Sequence, residues 1–287
     1  MHNQLSNNNS GELAEVFRDV SAHLLVSGII RDQLTTNLDV REEALKGLDF
    51  SGYTRILDIG CGFGFFTGGL AGRLSQEAEI TGIDMHEKYR KYYLGAAEKA
   101  GIKSKFISQG ISVISDFNER TYDLIICSYA LYFFPEYIHQ ISRILKDDGV
   151  LVVITHSCPH MKELTYLVKE ILAAENISND SLLPYEMLIN RFCDYNGNDV
   201  LSPFFSIVSR KEFRSEILFD RSDFRKFVEY FRFKTPFFIP SGKGDENKLS
   251  RKILNKVKDL LDQEGCFHIT KDDTIYVCSK PLNLNKE

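Results

Sequence analysis

Residues 56–64 read Ile56-Leu57-Asp58-Ile59-Gly60-Cys61-Gly62-Phe63-Gly64: an apolar run, an acid, then three glycines at alternate positions. The pattern predicts the end of a buried strand, a tight turn, and a helix over Phe65–Leu74. Gly60 and Gly62 lack a Cβ, so the chain can bend sharply there and a ligand can lie against the main chain. The start of the following helix adds open N–H groups and a dipole that favour a carboxylate.

Two nucleotide-binding patterns compete for this turn. A nicotinamide or flavin site uses G-x-G-x-x-G, and Phe65 occupies the third small position. The order D-x-G-x-G-x-G instead resembles motif I of the class I S-adenosylmethionine (SAM)-dependent methyltransferases. That resemblance implies that Gly60, Cys61 and Gly62 wrap the amino-acid end of SAM, and that Asp58 orients its ammonium, usually through water. The alternative is a glycine-rich turn that binds nothing.

Further segments fall in register with the first. Ile80–Met85 is a second short apolar strand, and it ends in Asp84, twenty residues beyond Gly64. An acid at that place in a βαβ unit can accept bonds from both ribose hydroxyls; its other reading is a helix N-cap, since Tyr89–Ala100 reads as a helix. By resemblance, Met85 lies against the adenine. The third strand, Lys105–Ser108, leads to Gly110 and Ile111, where family members often carry an acid, so only main-chain contacts to the adenine are expected there. Tyr122–Ser128 reads as the central fourth strand, with Cys127 a small residue near the cofactor. Tyr129–Phe134 then resembles motif IV of small-molecule methyltransferases, with Tyr132 and Phe133 where histidines are usual. Ile141–Leu145, Asp148-Gly149 and Val150–Thr155 supply a helix, a turn and a fifth strand. The resemblance runs over about residues 50–157 and implies a seven-stranded, mostly parallel Rossmann-like α/β sheet with an antiparallel last strand, plus a helical cap.

Composition narrows the class. With 287 residues, 43% of them hydrophobic, the chain can bury a large core. The net charge of −5 and the absence of a dense basic block argue against a nucleic-acid partner. Lys243–Lys258 is lysine-rich, but interleaved acids suit a solvated helix face. No run has the length of a membrane span. Met1–Glu12 is polar and reads as a frayed tail. Six cysteines stand at 61, 127, 158, 193, 266 and 278 without a CxxC pair, which suits reduced thiols in a cytoplasmic chain. His156-Ser157-Cys158-Pro159-His160 offers metal-ligand types, but no second cluster completes a set, so no metal is expected.

Four segments are expected: residues 1–48, a helical piece that family analogy places over the cofactor; 49–157, the SAM-binding core; 158–205, a helix and a lid-like insertion; and 206–287, the end of the core sheet with an inserted cap. Lys162–Ala174 has helical apolar spacing. Asn176–Pro203 is polar and broken by prolines. Ser206–Phe219 reads as one long strand with an irregularity at Arg210-Lys211, Arg221–Phe233 as a helix, Thr235–Lys243 as a Pro/Gly connection, Asn247–Gln263 as a helix and Cys266–Ser279 as the last strand. Phe224, Phe227, Val228 and Phe231 form one stripe, which suits core packing as well as an apolar substrate.

The implied activity is methyl transfer from SAM, giving S-adenosylhomocysteine (SAH), to an O or N atom of a small molecule. Protein or RNA methylation, or a non-catalytic scaffold, are the other readings. Catalytic candidates sit at the carboxyl edge of the sheet, where open α/β sheets bind ligands. His156 follows the fifth strand and could act as a base; its plain reading is a capping or surface histidine. Tyr132 follows the fourth and could position an acceptor; its plain reading is a packed aromatic. A D/N-P-P-Y segment is absent after the fourth strand, which disfavours planar amide acceptors. Overall layout is similar to trans-aconitate and juvenile-hormone-acid methyltransferases, and a monomer or homodimer is expected.

Overall fold

The computed structural model describes residues 11–177, 182–242 and 244–282. In chain order the helices are α1 (Val20–Gln33), α2 (Val40–Leu45), α3 (Phe65–Gly68), α4 (Arg90–Lys99), α5 (Ile138–Ile144), α6 (Lys162–Ala174), α7 (Pro184–Ile189), α8 (Gly197–Leu201), α9 (Phe224–Phe238) and α10 (Glu246–Glu264). The strands are β1 (Arg55–Ile59), β2 (Glu79–Ile83), β3 (Lys103–Ile107), β4 (Tyr122–Ser128), β5 (Leu145–His156), β6 (Phe205–Phe213), β7 (Glu216–Asp220), β8 (Cys266–Thr270) and β9 (Asp273–Pro281). Backbone contacts gather these into two compact units: Leu38–His156, Arg191–Phe213 and Asp273–Glu287 form a sheet unit, and Met1–Asn37, Ser157–Asn190 and Arg214–Asp272 form a helical unit. The four-segment division by sequence is not the one the contacts draw. Residues 1–48 split at Asn37/Leu38, so α1 and α2 belong to different units.

The sheet unit carries seven strands in the order β3-β2-β1-β4-β5-β9-β6. β9 runs antiparallel to both of its neighbours, and the other pairs are parallel. The expected Rossmann-like sheet with its reversed strand is therefore present. Its central strands read as near-continuous apolar runs because both faces are covered: Leu124, Ile125, Ile126 and Cys127 on β4 and Leu151, Val152 and Val153 on β5 are fully buried. The core continues through Ile56, Ile80, Phe66, Leu70 and Ala97. Each fully buried Ile or Leu contributes about 1.5–3 kcal/mol.

Helix α3 stops at Gly68, short of the expected Leu74. Gly68, Gly69 and Gly72 account for this, since each disfavours helix by about 1 kcal/mol relative to alanine, and Gly72 sits at φ +71°.

In the helical unit β7 and β8 form a separate two-stranded antiparallel sheet. The long strand expected over Ser206–Phe219 is thus two strands, β6 and β7, and the strand expected over Cys266–Ser279 is β8 and β9. The break falls at Arg214-Ser215, not at Arg210-Lys211. Ser215 N–H donates to Asp272 Oδ1 at 3.0 Å, its hydroxyl donates to the Lys271 carbonyl at 2.6 Å, and Lys271 N–H returns a bond to the Ser215 carbonyl at 2.8 Å. These bonds, made between segments 56 and 57 positions apart, replace the ladder where the chain changes sheets, so no short stretch of sequence registers the exchange.

Helix α9 also outruns its expected end. It continues through Pro236 to Phe238, where a Pro/Gly connection was expected from Thr235. Burial of Phe233, Phe237 and Phe238 outweighs the hydrogen bond that Pro236 cannot make. Phe227 and Phe231 are fully buried and lie 6.1 Å apart with rings nearly parallel, so this part of the aromatic stripe is core. Helix α10 begins at an Asp245 cap that accepts from Lys248 N–H and ends at Gly265, φ +87°.

Residues 1–10 of the polar start and 178–181 of the stretch expected as a lid lie outside the described residues, as does Lys243. The described part of that stretch forms α7 and α8. Among the described residues no helix is long and apolar enough to cross a membrane.

Candidate active site

The turn after β1 is built from close approaches. Gly60 (φ +68°) and Cys61 both donate their N–H to the Ile83 carbonyl, at 2.8 and 3.0 Å. A Cβ on Gly60 would stand 2.4 Å from the Ala130 Cβ, and one on Gly64 (φ +83°) 2.7 Å from the Ala96 Cβ, so both glycines are required by packing and by backbone conformation. Gly62 differs: its φ is +49°, and a Cβ there would meet nothing within 4 Å. The space beside Gly62 is open to a ligand.

Asp58 and Asp84 flank this turn in different states. Asp58 is buried; its Oδ2 accepts the Thr67 hydroxyl at 2.7 Å, and its Oδ1 has no hydrogen-bond partner among the described residues. Burial, opposed by the Thr67 bond and aided by the Asp84 charge, raises its carboxyl to about 7. Asp84 is held open by backbone: its Oδ2 accepts Gly62 N–H at 3.0 Å and its Oδ1 accepts His86 N–H at 2.9 Å. Each oxygen keeps further acceptor capacity. Burial raises this carboxyl too, against the two backbone bonds. The N-cap reading of Asp84 gives way to His86, which precedes the short 3-10 turn Glu87–Tyr89.

Met85 is a large apolar side chain left half exposed, and the Cβ position of Gly110 lies 3.5 Å from its own Cβ. Gly110 takes φ +68°, ψ −168°, a conformation open essentially to glycine, and its N–H donates to the Asp84 carbonyl at 3.3 Å. Ile111 follows it, partly buried. Met85 and Gly110 are thus gathered beside Asp84. Cys61 and Cys127 are buried, and burial first, then Asp58, raises both thiols, so neither is a nucleophile at neutral pH. One contributor was not singled out from sequence: Arg41 on α2 donates to the Phe65 carbonyl at 2.9 Å and lies over the Phe65 ring at 4.7 Å.

These residues fit SAM on their own chemistry. An orphaned buried carboxylate oxygen awaits a cation, the open face of Gly62 accepts close approach, and Asp84 has acceptor capacity for a diol beside the apolar Met85.

The catalytic candidates form a second group in the same unit. His156 closes β5, and in the ladder its partner is Asp273, the first residue of β9. The Asp273 carboxylate, fully buried, stands 2.8 Å from His156 Nδ1 and accepts the Tyr129 hydroxyl at 2.7 Å. The His156 ring lies nearly parallel to Tyr129 (5.0 Å, 28°) and to Tyr132 (5.8 Å, 24°). Burial, followed by the Asp273 charge, holds both tyrosine hydroxyls protonated. Tyr129 occupies the left-handed region at φ +54°, with its N–H tied to the Ile154 carbonyl at 2.8 Å. Such strain in a non-glycine residue costs about 1–3 kcal/mol and clusters at functional sites. His156 is therefore neither a surface nor a capping histidine. Tyr129 and Asp273 were missed as site residues; the acid opening an otherwise apolar strand was the one available signal, and its partner depends on strand register.

A family model described as "Methyltransferase domain" matches residues 51–196, half of the chain. Demethylmenaquinone methyltransferase from Bacillus cereus (strain AH187) is 24% identical over 124 residues, 42% of this chain. The same enzyme from Bacillus anthracis matches equally. The chain spans about half the length (52%) of these curated relatives. Among solved structures, a candidate methyltransferase from Bacillus halodurans C-125 aligns over 85% of this chain and 99% of its own, with TM-score 0.55 and 13% identity. The cyclase SpnF aligns over 96% and 97%, with TM-score 0.53 and 14% identity. These two likenesses speak for the fold alone, and a cyclase among them shows why the fold does not dictate the reaction. The family match, the seven-stranded sheet and the glycine turn agree: the chain belongs to the class I SAM-dependent methyltransferases.

Proposed function

We propose that this chain transfers a methyl group from SAM to an O or N atom of a small-molecule acceptor. In this reading Asp58, Gly60, Cys61 and Gly62 hold the amino-acid end of the cofactor, Asp84 the ribose, and Met85, Gly110 and Ile111 the adenine, with Cys127 a small buried neighbour. The supporting observation is the Asp58 Oδ1 orphan beside the open face of Gly62. An ammonium there supplies the charge that this carboxylate lacks. Once bound, SAM provides a methyl group activated by its sulfonium, so the protein's task is alignment and exclusion of water.

His156 acts as the general base. A hydrogen bond from Nδ1–H to Asp273 puts the ring lone pair on Nε2, and the two tyrosine rings fix the plane of the imidazole. A positioned base is worth about 10²–10⁴-fold for a neutral hydroxyl or amine. Tyr132 keeps its proton and donates a hydrogen bond that orients the acceptor. The net negative charge and the absence of a dense basic block disfavour an RNA acceptor.

Methyl-labelled SAM, incubated with the purified chain and with separated metabolite, protein and RNA fractions, tests this reading. Label in the metabolite fraction, lost on Asp84→Ala, supports it. Label confined to protein or RNA overturns the acceptor class, and calorimetry showing no SAM or SAH binding at millimolar concentration overturns the cofactor site.

A further inference from the structure

Gly82 on β2 is the ladder partner of Asp58 on β1, so the two positions face the same side of the sheet on adjacent strands. The space at Gly82 is filled from another element. A Cβ there would stand 2.3 Å from Cζ of Tyr93, the carbon that bears the hydroxyl, and 2.6 and 2.7 Å from the two Cε atoms. Gly64 completes the seat, since a Cβ on it would come 3.5 Å from the Tyr93 Cα and 3.6 Å from Cδ2. The phenol of Tyr93, carried by α4, thus takes the place of a side chain next to Asp58.

Packing does not explain its hydroxyl. Tyr93 is fully buried, and among the described residues the hydroxyl oxygen has no hydrogen-bond partner. An unbonded buried hydroxyl is costly, and phenylalanine would fill the same seat without that cost. The groups that act on it belong to the candidate cofactor turn: burial, then the Asp58 charge and then Cys61, raise the phenol, against an interaction with Thr67. It keeps its proton and remains a donor. Thr67, buried on α3, donates its own hydroxyl to Asp58 Oδ2 at 2.7 Å, and a hydroxyl oxygen that donates can also accept. Asp58 Oδ1 is likewise without a partner. Two unbonded buried oxygens therefore flank one Thr67–Asp58 bond.

We propose that Tyr93 and Thr67 are positioning residues for the amino-acid end of the cofactor: the Tyr93 hydroxyl donates to Thr67 Oγ1, and Thr67 donates to Asp58 Oδ2, when an ammonium takes Oδ1. This step rests on the assignment of the SAM ammonium to Asp58 made above. A carboxylate paired with a cation accepts stronger bonds than a neutral carboxyl, and hydroxyls linked in series toward it polarise one another. The relay thus favours the ligand-bound state over the free one. Gly82 admits the phenol to it.

Calorimetry on the full chain with SAH, and with 5′-methylthioadenosine, which lacks the ammonium and carboxylate, tests this. Thr67→Val should weaken SAH about tenfold and Tyr93→Phe about threefold. Neither should change the affinity for methylthioadenosine, and Thr67→Ser should bind SAH as wild type does. In the Thr67→Val background Tyr93→Phe should cost nothing further, because Tyr93 acts through Thr67. The thermal midpoint of unliganded Tyr93→Phe should lie at or above wild type, since the change removes an unbonded hydroxyl, and weaker binding then does not reflect misfolding. Unchanged SAH affinity in Tyr93→Phe, equal losses for both ligands, or additive losses in the double variant overturn the proposal. Unchanged SAH affinity in Asp58→Asn would instead refute the ammonium assignment, and the relay would fall with it.

Discussion

Asp273 and His156 face each other as the terminal pair of the β5–β9 ladder, and their side chains close to 2.8 Å through an Asp273 carboxylate oxygen and His156 Nδ1. The same carboxylate accepts the Tyr129 hydroxyl at 2.7 Å, so one buried acid fixes two rings. Replacing His156 by Gln should lower kcat on the order of 10²–10⁴-fold with little change in KM for SAM. Asp273→Asn should lower kcat by about tenfold or more and move the acidic limb of the kcat–pH profile to lower pH, because the imidazolium loses its anion. Steady-state kinetics across pH 5–9 decide. An unchanged profile would make Asp273 purely structural.

Asp58 should report on cofactor binding through protons. Its carboxyl is raised from 3.8 to about 7, so the folded apo protein holds a proton there that the unfolded chain has released. The stability this confers is complete below about pH 4 and is lost as pH rises through about 7, at up to about 1.4 kcal/mol per pH unit. Asp58→Asn should therefore raise the thermal midpoint of the apo protein at pH 7–8 and leave it nearly unchanged at pH 4. The same substitution should weaken SAM binding about tenfold or more. In wild type near pH 6, SAM binding should release protons, measured calorimetrically in buffers of different ionisation enthalpy.

Gly60 and Gly62 should separate stability from binding. Gly60→Ala forces contact with Ala130 at a left-handed backbone, and should cost about 2–4 kcal/mol in chemical denaturation. Gly62→Ala meets no neighbour, so its cost is conformational, about 1 kcal/mol. Its methyl would enter the space assigned to the cofactor, and SAH affinity should fall disproportionately, about tenfold or more. Equal affinity in Gly62→Ala and wild type would remove this glycine from the site.

His23 should make the helical unit acid-sensitive. Its folded pKa, lowered from 6.5 to about 3, favours the neutral ring, so the stability it brings is present above about 6.5 and is lost as pH falls toward 3. His23→Phe should flatten the decline in thermal midpoint between pH 6.5 and 4. The steepest part of the wild-type loss should not exceed about 1.4 kcal/mol per pH unit for this group.

Local pattern carried the cofactor turn because its requirements are local. Gly60, Gly62 and Gly110 need backbone conformations that few other residues adopt, and Asp58 and Asp84 end apolar strands within one βαβ unit. Helix lengths were less legible where propensity and packing disagree: Gly68-Gly69 ended α3 early, while buried phenylalanines carried α9 through Pro236. The exchange of sheets at Ser215 was hidden because the bonds that end the ladder join Ser215 to Lys271 and Asp272, 56 and 57 positions along the chain.

The order of residues alone determined the glycine turn with its two acids, which follows from backbone sterics over a few residues; the parallel sheet and its reversed strand were legible only through the family that this turn resembles. Only the tertiary structure decided that Asp273 meets His156, 117 positions earlier, and Tyr129, 144 positions earlier. Strand register and helix packing set those distances, and neither is encoded in any short stretch of chain.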